Sequence, residues 1–214
     1  MNSEIIAERR PVTLLFNPFV YIAGGKALGL GLAAILLAGL IGGLGNTHFD
    51  GVLDTHVGAH APLWVFLLEG IIDWLCLSLV LLLLGRIVSR TSFRTIDLLG
   101  TQASARWPTV FMSLLALPKA MQRFGNDLVE QLKRGGNFHF NTADAIVFLA
   151  IVLAMIPLLC WMLALMYKSF SISCNVKGGK AIGTFIAGIL IAEVLSKVCI
   201  AYLLVPAINA ANPT

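Results

Sequence analysis

Five stretches of this chain are apolar for longer than a helix of a water-soluble domain can tolerate. Crossing the hydrocarbon core of a bilayer takes ~20 residues of helix, at about 1.5 Å of rise each. Ala27–Gly45 reaches that length without one ionisable residue, and Leu63–Gly85 does so with only Glu69 and Asp73. Leu98–Pro118 is interrupted by Arg106 and Pro108, Ala145–Tyr167 only by Pro157, and Ala181–Val205 carries Glu193 and Lys197. A soluble helix needs a polar face to turn towards water, and these blocks have none to offer. The composition agrees, with 58% hydrophobic and 12% charged residues, where soluble domains run near one half and one quarter. The pattern predicts an all-α, polytopic membrane helix bundle of five transmembrane helices. It divides into a cytoplasmic N-terminal segment (1–26), a five-span membrane domain (27–206) and a C-terminal tail (207–214).

Orientation follows from the basic residues, which mark cytoplasmic loops when the loops are short. Arg9, Arg10 and Lys26 precede the first block, and Arg86, Arg90 and Arg94 follow the second, while 46–62 has no Lys or Arg. That contrast places the N-terminus in the cytoplasm and the first loop outside. Later loops balance: five full spans put Lys119, Arg123, Lys133 and Arg134 outside, whereas a re-entrant third block would move Lys168, Lys177 and Lys180 there instead. Five spans is the reading adopted. The first block is longer than a signal-peptide core and lacks a clear cleavage site, so it is expected to be retained. The cysteines form no CxxC pair and give no disulfide framework or zinc knuckle.

The ionisable residues at membrane depth carry the most information. A charged side chain at mid-bilayer costs about 2.5–3.5 kcal/mol on insertion scales, so such residues turn inward and find partners. Glu193 and Lys197 are spaced i,i+4 with the acid first, the favourable order on a helix. Glu69 and Asp73 share that spacing but carry like charges. Arg106 in the third block is the expected partner, since its planar fork can bridge two carboxylates. The set Glu69, Asp73, Arg106, Glu193 and Lys197 reads in two ways: a polar pathway for a proton or solute, or a structural clamp fixing how the spans pack.

Other features carry less. The first loop gathers His48, Asp50, Asp54, His56 and His60, residue types that suit a divalent metal. Asp50-Gly51 punctuation also fits a plain solvated turn, and no metal is assigned. Gly25 and Gly29, and again Gly39 and Gly43, have the spacing that lets helices approach closely in lipid, within the bundle or between copies. Met121, Phe124, Leu128, Val129 and Leu132 recur near helical spacing among Lys and Arg, so 119–134 reads as an amphipathic helix that can lie in the membrane interface. Gly178-Gly179-Lys180 is too short to be a Walker motif, and no HExxH, GxSxG or GxGxxG pattern is present. The chain is read as non-enzymatic and without a cofactor.

Three stretches carry a family likeness: Asn17-Pro18-Phe19-Val20-Tyr21-Ile22-Ala23-Gly24, then Phe93–Gln102 followed by Ala105-Arg106-Trp107-Pro108, then Trp161 and Tyr167 ahead of Lys177-Gly178-Gly179-Lys180-Ala181. In these the chain resembles bacterial members of the Yip1 domain family. The resemblance covers most of the chain and implies a five-helix bundle in the bacterial cytoplasmic (inner) membrane, with the C-terminus outside. Eukaryotic relatives bind Rab-type GTPases. That role is not carried over, because the Asp-Leu-Tyr-Gly-Pro signature is replaced by Asp97-Leu98-Leu99-Gly100-Thr101. The expected partners are the lipid bilayer and a membrane protein or second copy, with no nucleic acid. The expected function is organising lipid or protein partners in the membrane. The alternative is a small permease or channel moving a proton, ion or polar solute past Glu69, Asp73 and Arg106.

Overall fold

The computed structural model describes residues 13–135 and 139–206, together with Asn209. Residues 1–12 of the expected N-terminal segment, with Glu4, Glu8, Arg9 and Arg10, lie outside the described residues, as does the tail 207–214 apart from Asn209. Among the described residues seven α-helices follow one another: α1 Gly24–Gly45, α2 Leu63–Val88, α3 Thr95–Ser104, α4 Pro108–Leu115, α5 Lys119–Arg134, α6 Thr142–Ser173 and α7 Gly178–Leu203. A short antiparallel ladder, β1 Thr47–His48 with β2 His56–Val57, lies between α1 and α2. Four of the helices, α1, α2, α6 and α7, are long and apolar enough to cross a membrane.

The third apolar block is two helices rather than one. Pro108 has no N–H to donate and crowds the preceding turn. The chain therefore tightens over Ala105–Trp107 into i→i+3 bonds, Arg106 N to Ala103 O at 3.1 Å and Trp107 N to Ser104 O at 3.2 Å. Pro108 then opens α4 at the first turn, where a missing N–H costs nothing. The hydroxyl of Thr109 donates to the Arg106 carbonyl at 2.6 Å, satisfying a backbone acceptor at the break as lipid requires.

Helix directions follow from the residues that meet. Gly43 lies on Leu63 and Gly39 on Phe66, so α1 and α2 are antiparallel. The α3–α4 pair runs parallel to α1: Gly100 rests on Gly24, Gly31 on Ala103 and Ser104, and Gly45 faces Ala116 and Leu117. Two serines stitch the same seam, Ser104 Oγ donating to Ala27 O at 2.6 Å and Ser113 Oγ to Ala38 O at 3.0 Å. The broken pair is thus matched to the full length of α1. Helix α6 returns beside it, with Trp161 edge-on to Trp107 at 4.3 Å and Gln102 Nε2 donating to Met166 O at 3.0 Å. Helix α7 lies antiparallel to α2: Lys180 Nζ donates to Val88 O at one end, and Ile200 and Leu204 pack with Val65 and Phe66 at the other. Amphipathic α5 sits at the C-terminal end of α1, where Gln122 Nε2 donates to Gly45 O at 2.9 Å.

Polarity is sorted in the opposite sense to a soluble domain. Ser78, Thr101, Gln102, Thr109, Ser113, Ser169 and Ser196 are buried, while Leu44 and Ile87 are each 78% exposed. Outward leucine and isoleucine with inward hydroxyls is what a lipid solvent selects.

The small-residue spacings divide. Gly39 and Gly43 pack against α2, whereas Gly25 and Gly29 have nothing within 4 Å. The tightest seam is at Gly31, where an added Cβ would lie 2.3 Å from the Ala103 carbonyl carbon and the Ser104 nitrogen. Gly31→Ala is therefore expected to destabilise the bundle by about 3 kcal/mol, the upper part of the usual overpacking range. Gly29→Ala is expected to be neutral or slightly stabilising, because alanine is the better helix former. Unfolding in detergent by titrated denaturant measures both; equal effects at the two positions would refute the close approach.

Candidate functional site: a buried charge pair and a loop-capped cavity

Of the polar residues singled out in the sequence, Asp73, Glu69 and Arg106 lie deepest, at 0%, 1% and 2% exposure. The break between α3 and α4 aims Arg106 at α2, where Nη1 lies 3.6 Å from Asp73 Oδ2. Neither Asp73 oxygen accepts a hydrogen bond, and neither Nε nor Nη2 of Arg106 donates one. The pair is held by charge more than by hydrogen-bond geometry. Beside Arg106, a cavity of about 10 Å³ lies among Ile35, Gly39, Phe66, Gly70 and Thr109, near the minimum that holds one water.

Glu69 does not join that pair, so Arg106 is not the bridge its position led us to expect. The Glu69 carboxylate is 1% exposed and is engaged from the other side: His48 Nδ1 lies 2.7 Å from Oε1, and Phe49 N donates to Oε2 at 3.1 Å. The α1–α2 loop therefore folds into the bundle end instead of standing in solvent. Thr47, His48, Phe49 and Val52 are all buried, and Val52 belongs to the main core with Leu77 and Ala192. Phe49, Val52 and Leu53 are the apolar residues that explain the inward fold, interleaved with the polar ones that masked it.

The same loop recruits the other intramembrane charges. Glu193 and Lys197 do pair within α7, at 3.6 Å, but each also reaches the loop. Leu53 N donates to Glu193 Oε2 at 2.9 Å, and Lys197 Nζ is bonded to Asp54. His56 Nδ1 lies 3.3 Å from Asp50 Oδ1 and 3.8 Å from Asp54 Oδ1. The five loop residues do not form one cluster. His48 turns to Glu69 and His60 to Asn46, leaving donor atoms of Asp50, Asp54 and His56 within 4.8 Å of one another. The partners these donors face in the structure are cationic side chains: Asp54 binds Lys197, and Asp50 binds His56. His56 is a strand residue in β2, so it shares no helix face with His60.

This network caps an apolar hollow, a cavity of about 450 Å³ between the loop, α4, α5 and α6. Met112, Met121, Gly125, Leu128, Phe148, Val152 and Met155 form its wall, and Asp54, Thr55 and His56 form its polar rim. Helix α5 is fixed over the hollow by a forked pair, Arg123 Nε and Nη2 to the two oxygens of Asp144 at 2.7 and 2.5 Å. Phe124 adds a stack on Phe148 at 4.4 Å. The sequence carried both halves of this site, the apolar face of 119–134 and the acid–histidine loop. They are about 70 residues apart along the chain, and no local periodicity links them.

The loop charges titrate in known directions. The Asp50 carboxylate 3.3 Å away holds the His56 pKa above the ordinary 6.5 against the opposing effect of burial, and the same contact lowers Asp50 below 3.8. For His48, burial opposes protonation, but the Glu69 hydrogen bond and charge outweigh it and the net shift is upward. Raised histidines contribute stability fully below pH 6.5 and lose it as pH rises through their folded pKa. The lowered Asp50 contributes above pH 3.8 and loses it as pH falls through its folded pKa. The loop is thus clamped most firmly between these limits. Hydrogen-exchange protection factors over 47–57 are expected to fall as pH rises above 6.5, the ordinary histidine value, and on through the raised folded pKa, and His56→Gln is expected to flatten that dependence. Unchanged protection across the range would refute the clamp.

The buried pair makes a separate prediction. Arg106→Met or Asp73→Leu alone should cost about 3–5 kcal/mol, because each strands one buried charge. The double variant should be more stable than either single one, since an apolar replacement of both partners is often near neutral. Additive losses in a detergent unfolding cycle would show that the two do not pair.

No protein-family model matches this chain, and neither a curated protein nor a solved structure does.

Proposed function

We propose that this chain is a non-enzymatic, Yip1-like five-crossing membrane bundle that organises lipid, holding it in the cavity beneath α5. That cavity is the observation that carries the reading: about 450 Å³ of almost wholly apolar space, within the ~300–1,000 Å³ range of ligand sites. It sits below an amphipathic helix of the kind that lies in the membrane interface. The fifth crossing is α3–α4, supported by its match to the full length of α1. With five crossings, Lys26, Arg86, Arg90, Arg94, Lys168, Lys177 and Lys180 share the end that holds the start of α1. The opposite end carries five basic residues, Lys119, Arg123, Lys133, Arg134 and Lys197, against those seven. That asymmetry favours the first end as cytoplasmic and puts the cavity on the outer side. The assignment to a bacterial inner membrane rests on the family resemblance alone.

The permease reading needs a hydrated route to Asp73. Against it stand the complete burial of Asp73 and the small volume of the space beside its partner Arg106. Reconstitution into liposomes with a luminal pH dye tests both halves of the proposal. Proton flux is expected to equal that of protein-free vesicles, and in a cysteine-free background Thr55→Cys and Lys133→Cys are expected to label from the same side. Flux abolished by Asp73→Asn would turn the reading to transport, and labelling from opposite sides would remove the fifth crossing.

A further inference from the structure

We infer that the cavity beneath α5 selects a zwitterionic phospholipid with a primary ammonium headgroup, one acyl chain lying in the hollow and the headgroup in the charged rim. The inference rests on the lipid-holding reading above and specifies the chemistry of the ligand. The wall accounts for the chain. Met112, Met121 and Met155 give it a flexible, polarisable surface that adapts to an irregular hydrocarbon, and Gly125 leaves open room on the α5 side.

The rim accounts for the head. Asp54 and His56 line the cavity mouth, with Lys197 bonded to Asp54 and Asp50 facing His56. Acid and base alternate here within a few ångströms. A zwitterion enters such a network by exchange: its ammonium takes the place of Lys197 on Asp54, and its phosphate takes the released Lys197 and the His56 imidazole. Every charge keeps a partner, so the exchange avoids the cost of a stranded one. A head with only negative charge meets Asp50, Asp54 and Glu193 against Lys197, the one permanent cation of the rim among the described residues. A quaternary ammonium has no N–H to give Asp54, and among the described lining residues Phe148 is the one phenyl, phenol or indole ring, where recognition of such a group uses an aromatic cage.

The test is native mass spectrometry of the full chain released from vesicles of equimolar phosphatidylethanolamine, phosphatidylcholine and phosphatidylglycerol. Phosphatidylethanolamine is expected to be retained about tenfold over the other two, the selectivity that one charge-assisted hydrogen bond supplies. Gly125→Trp, which fills the hollow, is expected to lose retained lipid of every class. Asp54→Asn is expected to keep a lipid but lose the preference. Equal retention of the three classes by the unmodified chain overturns the headgroup assignment and leaves the cavity standing. Full retention in Gly125→Trp overturns the cavity and the lipid-holding function with it. Should the variants fail to fold, thermal melting of the unmodified chain decides: phosphatidylethanolamine must raise the midpoint more than phosphatidylglycerol does, and an equal rise overturns the assignment.

Discussion

Between apolar helices in a bilayer the hydrophobic effect offers little attraction, because the lipid tails are as apolar as the helices themselves. Contact must come from close backbone approach and from polar groups that have nowhere better to go. The seam between α1 and the α3–α4 pair supplies both. Gly31 and Gly100 bring the two backbones together where no Cβ fits, and Ser104 and Ser113 spend their hydroxyls on α1 carbonyls. Everything else in the bundle is placed from this seam. It fixes the break at Ala105–Trp107 against the middle of α1, and the break in turn directs Arg106 across to Asp73 on α2.

The polar interior then divides into two levels with different characters. At the deeper level Asp73 and Arg106 are sealed, close in charge but poor in hydrogen bonds, an arrangement suited to specifying one packing rather than adding stability. Nearer the end of the bundle, Glu69, Glu193 and Lys197 are all answered by one loop. Four long-range contacts made by a single connection bind α2 and α7 through their side chains and leave the loop as the roof of the α5 cavity. A connection that would otherwise be a flexible turn becomes the element joining the ionisable residues to the apolar site.

Some of this was legible in the residues and some was not. The blocks Ala27–Gly45, Leu63–Gly85, Ala145–Tyr167 and Ala181–Val205 each became a long apolar helix, extended at one or both ends by three to six residues into its flanks, while α7 stops at Leu203, two residues short of Val205. The third block carried its own warning in Arg106-Trp107-Pro108, and the break falls there. Glu193 and Lys197 at i,i+4 paired as their spacing dictates. The Glu69–Arg106 bridge failed because proximity along one helix face says nothing of what a distant loop brings to the other face. The glycine seam was missed for a related reason: Gly25 and Gly29 have the right spacing but the wrong azimuth, and only the partner helix reveals that Gly31 is the contact.

What the sequence determined by itself was the solvent. Length and hydropathy of each block are local quantities, and a bilayer imposes its demand for internally satisfied backbone on each segment separately. It also determined which residues would have to turn inward, since an ionisable side chain in such a block is costly anywhere else. Only the tertiary structure decided their partners. His48 with Glu69, Lys197 with Asp54 and the cavity shared by 53–57 and α5 depend on the directions in which seven helices pack. Those directions are set by shape at a few glycines and serines, where the energy lies in the fit between two surfaces and neither surface encodes it alone.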